Sequence, residues 1–204
     1  MLNLGWVKLD HELCRFIIDN IKVPQLCLEL NSDSVFLTQE QVGYILGLPT
    51  SGPPVPEEGE LTDIEVLCQT HGFRGTDMVS LATLERALGA QDAVVDASFK
   101  EKLVLFLLAT VLCPTTSVNI PVDYLHVVKD IGQVSQYNWA MFVYNKLQDA
   151  IIAYKLHGNK AYISGCIYFL QVSTLMSYLE LFIPELYYIT ILSISILLSA
   201  DTFL

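Results

Sequence analysis

The stretch that decides the fold of this chain runs from Leu103 to Gln171 and reads LVLFLLATVLCPTTSVNIPVDYLHVVKDIGQVSQYNWAMFVYNKLQDAIIAYKLHGNKAYISGCIYFLQ. It begins with a nearly continuous apolar run, residues 103–113, that stops before Pro114. A run of this length is too short for a bilayer, which needs about 20 residues, so we expect a buried core helix. Further on, the apolar spacing predicts a helix over Trp139–His157, with Asn138 as its N-cap and Gly158 at its end.

Working outward, the first part of the chain predicts one helix and one hairpin. Residues 8–22 have the helical apolar spacing, and Val23-Pro24 should end the helix because proline disfavours that conformation at the preceding residue. The predicted buried face consists of Leu9, Leu13, Phe16, Ile17 and Ile21. Residues 25–30 and 34–37 are strand-like, and the turn chemistry between them predicts a small β-hairpin.

Two capping boxes mark the next helices. Thr38 with Gln41 opens a short helix that should stop near residues 47–49, and Thr62 with Glu65 opens a second that should reach about Gln69. Between them lies the sequence GLPTSGPPVPEEGE, residues 47–60, whose four prolines and three glycines predict a loop. We interpret the acidic end of this loop, residues 57–60, as a solvated connection.

Four further helical segments complete the expected organisation. One spans Ser80–Leu88 with Gly89 as a left-handed stop, and one spans residues 93–113. The buried side of the second is expected at Phe99, Leu103, Phe106, Leu107 and Val111. Pro121 suits the first turn of the next helix, and the chain is again helical and apolar from Ala161 onward. The predicted fold class is therefore mainly α, a compact multi-helix domain with a small N-terminal β-hairpin.

Composition restricts the function. The chain of 204 residues is 52% hydrophobic and 16% charged, with a net charge of −11, and its lysines and arginines are scattered singly. Clustered cations are needed to neutralise phosphates, so direct nucleic-acid binding is disfavoured. Five widely spaced cysteines indicate free, buried thiols in a reducing compartment rather than a disulfide framework. The N-terminus has no secretory signal pattern.

Few residue patterns suggest chemistry. His11 and Cys14 have metal-ligand spacing, but the sequence has no second pair, and a buried thiol beside an exposed imidazole is the favoured interpretation. A nucleophile made of Cys113 or Ser117 with His126 has no local support, since no GxSxG elbow occurs. Phosphate-binding glycine motifs are also absent. We therefore expect no catalytic residue, no metal and no cofactor, and we expect Trp139 to pack in the core with its indole N–H bonded to a carbonyl.

Four blocks in order resemble the plant mobile domain, also called the aminotransferase-like plant mobile domain, over residues 8–171. The blocks are Leu37–Gly52, Leu107–Ser117, Asp130–Lys155 and Gly165–Gln171. The motif residues that carry the resemblance are Gly47, Leu48, Pro49, Cys113, Pro114, Thr115, Ser117, Asn138, Trp139, Ala140, Gly165 and Cys166. These residues are interpreted as structural, and the resemblance supplies no catalytic residues.

The resemblance implies a transposon-derived plant nuclear protein of the MAINTENANCE OF MERISTEMS type. It implies action through protein partners, with roles in silencing, genome maintenance or meristem maintenance. The nucleus is the expected location and the cytoplasm the alternative. A second interpretation is the N-terminal part of a transposon-encoded ubiquitin-like-protein protease without its catalytic domain.

Residues 172–204 depart from the resembling pattern. This tail is rich in Ser, Ile, Leu and Tyr, and no Lys or Arg follows Lys160. We interpret it as read-through into an intron or a truncated gene model. A tail anchor over Leu186–Ala200 is the rival interpretation, but fifteen uncharged residues are short for a membrane span, so a membrane partner is not expected.

Overall fold

The computed structural model describes residues 9–30, 33–58, 65–66, 68–69, 80–115, 117–157 and 163–182. The α-helices in these ranges are α1 (His11–Asn20), α2 (Gln39–Leu46), α3 (Leu81–Leu88), α4 (Ala97–Leu107), α5 (Trp139–His157) and α6 (Ile167–Phe182). The strands are β1 (Ile21–Lys22), β2 (Cys27–Leu30) and β3 (Asp33–Phe36). The fold is mainly α with a small antiparallel sheet near the N-terminus, which confirms the predicted class.

The chain divides into two compact units, the first formed by residues 1–37 and 168–204 and the second by residues 38–167. In the first unit, α1 begins at Asp10, whose side chain accepts hydrogen bonds from the N–H groups of Glu12 and Leu13. The helix ends at Asn20, earlier than predicted, because Ile21 leaves it to pair with Leu28 in the sheet. The predicted buried face is confirmed at Ile17 and Ile21, which are 1% exposed, but it was wrong at Phe16, which is 58% exposed. Cys14 and Ile18, which the prediction left out, are also buried.

The sheet of the first unit has the order β1-β2-β3, and all its pairs are antiparallel. Leu30 lies opposite Asp33 and Cys27 opposite Phe36, which confirms the predicted hairpin. The turn residues 31–32 lie outside the described residues. The extra strand β1 comes from the residues that were assigned to the end of the first helix.

In the second unit, α2 has the capping box that the sequence predicts. The Thr38 hydroxyl accepts from the Gln41 N–H at 3.3 Å, and the Gln41 side chain accepts from the Thr38 N–H at 3.1 Å. Gly47 ends the helix in the left-handed conformation, with φ +65°. The second predicted capping box, at Thr62, lies outside the described residues.

Two helix ends in the second unit differ from the predictions. Helix α3 begins after Ser80 as expected, but Gly89 has φ −89° and ψ 1°, so it is not a left-handed stop. Its N–H still donates to the Glu85 carbonyl, so the helix ends there without a left-handed residue. Helix α4 begins at Ala97 rather than Ala93, because Asp96 is the N-cap and accepts from the Phe99 N–H at 2.8 Å.

The apolar run after α4 does not continue as one α-helix to Cys113. Residues Leu108–Leu112 form a π-turn, in which the Cys113 N–H reaches back to the Leu108 carbonyl at 2.7 Å. The buried residues of the run are Leu105, Leu108, Ala109 and Cys113, whereas Leu103 is 37% exposed, so the predicted buried side was wrong. A run that is apolar at nearly every position has no periodicity from which to choose a face.

Short 3₁₀ helices, Val122–Val128 and Val134–Gln136, lead into α5. Pro121 is the residue before the first of them, which is a 3₁₀ rather than an α-helix. Helix α5 has the predicted bounds, and its predicted stop at Gly158 lies outside the described residues.

Helix α6 begins at Ile167, later than the predicted Ala161, since Gly165 has φ +92° and residues 163–166 are not helical. It then runs through Gln171 without a break and continues to Phe182. One helix therefore spans the boundary at which the resemblance ends. The tail segment Leu186–Ala200 lies outside the described residues.

Candidate functional site

The motif residues of the second unit gather around α5, beginning at its N-terminus. The first N–H groups of a helix have no partner inside it and must find acceptors elsewhere. Here the loop after α2 supplies them: the Pro53 carbonyl accepts from the Asn138 N–H at 2.9 Å, and the Pro49 carbonyl accepts from the Ala140 N–H at 3.0 Å. The prolines of this loop therefore act through their carbonyl groups.

Asn138 joins the loop to the helix with its side chain. Its Oδ1 accepts from the Met141 N–H at 3.0 Å, which is the predicted N-cap bond. Its Nδ2 donates to the Thr50 carbonyl at 3.0 Å. An N-cap needs only a side-chain oxygen that accepts a hydrogen bond, whereas Asn138 uses both the oxygen and the nitrogen of its side-chain amide.

Close approach of neighbouring atoms explains two of the three glycines near this end of α5. A Cβ on Gly43 would lie 2.2 Å from the Thr50 methyl carbon, and a Cβ on Gly52 would lie 2.0 Å from the Gln136 carbonyl oxygen. Gly52 also has φ +119°, which L side chains rarely adopt. By contrast, Gly47 has open space around its Cα and is required only for its left-handed conformation. Leu48 continues this turn, with its N–H bonded to the Gly43 carbonyl at 3.0 Å.

The block that begins at Cys113 meets the block that begins at Gly165. The Pro114 carbonyl accepts from the Gly165 N–H at 3.1 Å. A Cβ on Gly165 would lie 3.0 Å from the Leu147 Cα, so the chain crosses the middle of α5 at backbone distance. Cys113 and Cys166 are 2% and 0% exposed. Thr115 and Ser117 lie in the following turn, where the Thr115 hydroxyl donates to the Ser117 carbonyl at 3.5 Å and the Ser117 hydroxyl accepts from the Asn119 N–H at 3.0 Å.

Trp139 begins a line of aromatic rings in the core. Its indole N–H donates to the Val134 carbonyl at 2.7 Å, as the sequence predicts for a buried tryptophan. Its ring meets Phe142 edge-to-face at 5.9 Å between centroids, and Phe142 meets Tyr124 at 6.5 Å. Edge-to-face pairs of this kind add about 0.5–1.5 kcal/mol beyond the burial of their area.

An ion pair that the sequence did not indicate lies beside Phe142, the middle ring of this line. Lys146 pairs with Glu57, and its Nζ lies 5.4 Å from the centre of the Phe142 ring. Glu57 belongs to the acidic end of the loop, which was interpreted as a solvated connection. No local signal could have found this pair, because its partners are far apart in sequence.

Burial decides the chemistry of the thiol and phenol groups near α5. It raises the pKa of the Cys113 thiol far above its ordinary value, and the nearby Cys166 adds to this effect. Burial likewise raises the pKa of Tyr124, whose hydroxyl donates to the Cys113 carbonyl at 3.4 Å. The thiolate is the nucleophilic form of cysteine, so Cys113 is held in its unreactive form.

The His11–Cys14 pair of the first unit does not have the arrangement of a metal site. Cys14 is buried, its thiol donates to the Gln171 side-chain oxygen at 3.7 Å, and burial raises its pKa. His11 is exposed. Within the described ranges, no group of three or more His, Cys, Asp or Glu side chains is placed to hold a metal ion.

A family model described as a domain of unknown function, DUF8566, matches residues 1–171. The chain belongs to the DUF8566 family. The matched range contains all the motif residues that gather around α5, and it ends at Gln171 inside α6. No curated protein and no solved structure matches the chain. In the part of the DUF8566 chain that the structure describes, no helix is both long and apolar enough to cross a membrane.

Proposed function

We propose that this chain is a non-enzymatic, transposon-derived plant nuclear module of the plant mobile domain type, acting through protein partners. The observation that carries the proposal is the use of the motif residues. The backbone or side-chain polar groups of Asn138, Ala140 and Gly165 form hydrogen bonds with other residues of the second unit. Because these motif residues form contacts inside the unit, we expect other residues, on its surface, to bind the protein partners.

The burial of Cys113 supports the non-enzymatic part of the proposal. Cys113 was one of the two candidate nucleophiles in the sequence, with Ser117, and burial opposes formation of its thiolate. The scattered cations and the net charge of −11 favour protein partners over nucleic acid. A role in silencing, genome maintenance or meristem maintenance is part of the same proposal and rests on the resemblance.

Expression of the tagged full chain in plant cells tests the proposal. We expect enrichment in the nuclear fraction and a reproducible set of cross-linked proteins, quantified by mass spectrometry against a tag-only control. Cys113→Ala serves as the matched variant, since it removes the candidate nucleophile from a buried position. The same partner set with Cys113→Ala is expected. Recovery in the membrane fraction, or a partner set that disappears with a folded Cys113→Ala protein, would contradict the proposal.

A further inference from the structure

Helix α6 has its polar and apolar sides reversed. In a helix on the surface of a soluble protein, apolar side chains normally face the core and polar ones face water. The buried side of α6 beyond Gln171 consists instead of small polar residues: Ser173, Thr174 and Ser177. The opposite side carries large apolar residues at helical spacing: Tyr168, Val172 and Leu175. We call these three apolar residues the outer stripe.

The outer stripe presents apolar surface to water. Leu175 is 42% exposed, Tyr168 and Val172 are half-buried, and Tyr178 beside the stripe is 47% exposed. The sequence has no charged residue from position 161 to position 179. A contiguous exposed apolar surface of this kind is typical of a site that binds another apolar surface.

The sequence after α6 contains a segment whose chemistry matches the stripe. Helix α6 ends at Phe182, and the tail segment Leu186–Ala200 follows after a linker of three residues. The tail segment has no charged residue, and its only polar residues are Ser and Thr. Pro184 lies in the linker, and proline interrupts a helix, so the sequence predicts that the chain changes direction there.

We propose that the tail segment Leu186–Ala200 binds the outer stripe of α6 in the same chain. Ten helical rises separate Tyr168 from Tyr178, a span of about 15 Å. Fifteen residues cover about 22 Å even at the short rise of a helix, so the tail segment is long enough to run back along the whole stripe. Binding removes apolar area of both surfaces from water, and neither surface has a charge that must be desolvated.

Chain connectivity favours the tail segment over other occupants of the stripe. A short linker holds it at an effective concentration in the millimolar range, whereas a second copy must overcome the repulsion between two net charges of −11. A lipid surface would also accept an apolar stripe. However, fifteen residues are short for a span of about 20, and no Lys or Arg follows Lys160 to bind lipid headgroups.

The division of the chain is consistent with this contact. Residues 168–204 belong to the first compact unit, so the outer stripe and the tail segment lie in the same unit. The proposal makes the tail a part of the fold of that unit, in place of its interpretation as read-through. It rests on the polarity of α6 and on the sequence that follows, and it does not depend on the function proposed above.

Amide hydrogen exchange of the full chain, followed by mass spectrometry at low protein concentration, tests the proposal. The amides of residues 186–200 should be protected in the wild type. Leu175→Asp places a charge in the stripe, and the protection of these amides should then fall about tenfold or more, since burial of a leucine side chain is worth at least that factor. Leu156→Asp is the matched control: Leu156 is 75% exposed on α5 of the second unit, and its substitution should leave the protection unchanged.

The amides of residues 170–174 in α6 report whether the helix itself survives the substitution. They should stay protected in Leu175→Asp, so that the loss is confined to the tail segment. Where they lose protection too, Leu175→Ala decides, because alanine favours the helix and removes the apolar side chain without adding a charge. Leu175→Ala should lower the protection of residues 186–200 in the same direction.

Two further conditions separate the tail segment from the other occupants. The protection of residues 186–200 should not change with protein concentration or with added phosphatidylcholine vesicles. Protection that appears only at high concentration would overturn the proposal in favour of a second copy, and protection that appears only with vesicles would overturn it in favour of a lipid surface. A tail segment that exchanges freely under all these conditions, or whose protection both Leu175 variants leave unchanged, would overturn it as well.

Discussion

Helices α5 and α6 are stabilised in different ways. Helix α5 buries apolar side chains, among them Phe142, Val143, Leu147 and Ile151, and other segments of the second unit supply the acceptors for its first N–H groups. Helix α6 buries Phe169 and Leu170 but then a run of polar residues: Gln171, Ser173, Thr174 and Ser177. Gln171 accepts from the Asp10 N–H at 2.8 Å, whereas the Thr174 hydroxyl is buried with no hydrogen-bond partner in the described part of the chain.

This difference determines whether a substitution raises or lowers the stability of the protein. Within α5 the buried side chains are apolar and packed, so truncating one of them removes favourable contacts. Along α6 the effect depends on whether the polar group has a partner, because an unpaired buried hydroxyl costs free energy. Truncation of a buried side chain of α5 should therefore only destabilise, whereas α6 should contain both destabilising and stabilising substitutions.

The largest effect is expected at Trp139. Trp139→Ala removes the ring contacts with Phe142 and leaves the Val134 carbonyl without its donor, so we expect a loss of about 3–5 kcal/mol in the free energy of unfolding. Trp139→Phe keeps a ring and loses only the N–H donor, and it should cost about 1–3 kcal/mol. Urea denaturation followed by circular dichroism measures both. Equal losses for the two variants would show that ring packing contributes nothing beyond the hydrogen bond.

Two glycines with positive φ should separate steric contact from conformational strain. Gly165→Ala places a Cβ 3.0 Å from the Leu147 Cα at φ +92°, whereas Gly47→Ala meets open space at φ +65°. We expect losses of about 2–4 kcal/mol for Gly165→Ala and about 1 kcal/mol for Gly47→Ala. Thermal unfolding of the two variants side by side measures the difference. A Gly47→Ala loss as large as that of Gly165→Ala would refute the close approach to α5.

The next largest effect is expected at the paired polar residue of α6. Gln171→Met keeps the size of the side chain but removes the oxygen that accepts from the Asp10 N–H and the Cys14 thiol. The two donors are then left without this acceptor, and we expect a loss of about 1–3 kcal/mol. Gln136→Met, at an exposed position, is the control and should change stability by less than about 0.5 kcal/mol. Chemical denaturation measures both losses. A loss for Gln171→Met no larger than that for Gln136→Met would show that Gln171 has no structural role.

The smallest effect should have the opposite sign. Thr174→Val replaces the unpartnered hydroxyl with a methyl group of nearly the same shape, so we expect stability to stay the same or rise by up to about 1 kcal/mol. Ser117→Ala in the second unit removes a hydroxyl that does accept a bond, from the Asn119 N–H, and should destabilise slightly. A clear loss with Thr174→Val would show that the hydroxyl has a partner, and the contrast between α5 and α6 would then fail.

Local chemistry was predicted best where one short pattern decides one end of an element. The Thr38–Gln41 capping box, the Asn138 cap, the bounds of α5 and the Trp139 indole bond were all confirmed. Each depends on residues within a few positions of one another. The hairpin was confirmed for the same reason, since its strands flank a short turn.

The errors arose where distant residues compete for a segment. Ile21 has helical spacing, but pairing with Leu28 draws it into the sheet. The apolar run after α4 has no polar side to fix its face, and a π-turn rotates its end. The gathering of motif residues around α5 was also beyond local pattern, because the Gly165–Leu147 approach and the Asn138–Thr50 bond join segments far apart in the chain.

The sequence by itself determined the mainly helical class, the Thr38–Gln41 and Asn138 caps and the hairpin. It also predicted that the motif residues are structural rather than chemical. It could do so because propensity, capping and hydrophobic spacing act over a few residues. The tertiary structure alone decided that burial raises the pKa of the Cys113 thiol, that Lys146 lies over the Phe142 ring, and that β1 and β3 are the edge strands of the sheet. Desolvation, ion pairing and strand order depend on which distant segments meet, and no local pattern in the chain encodes that.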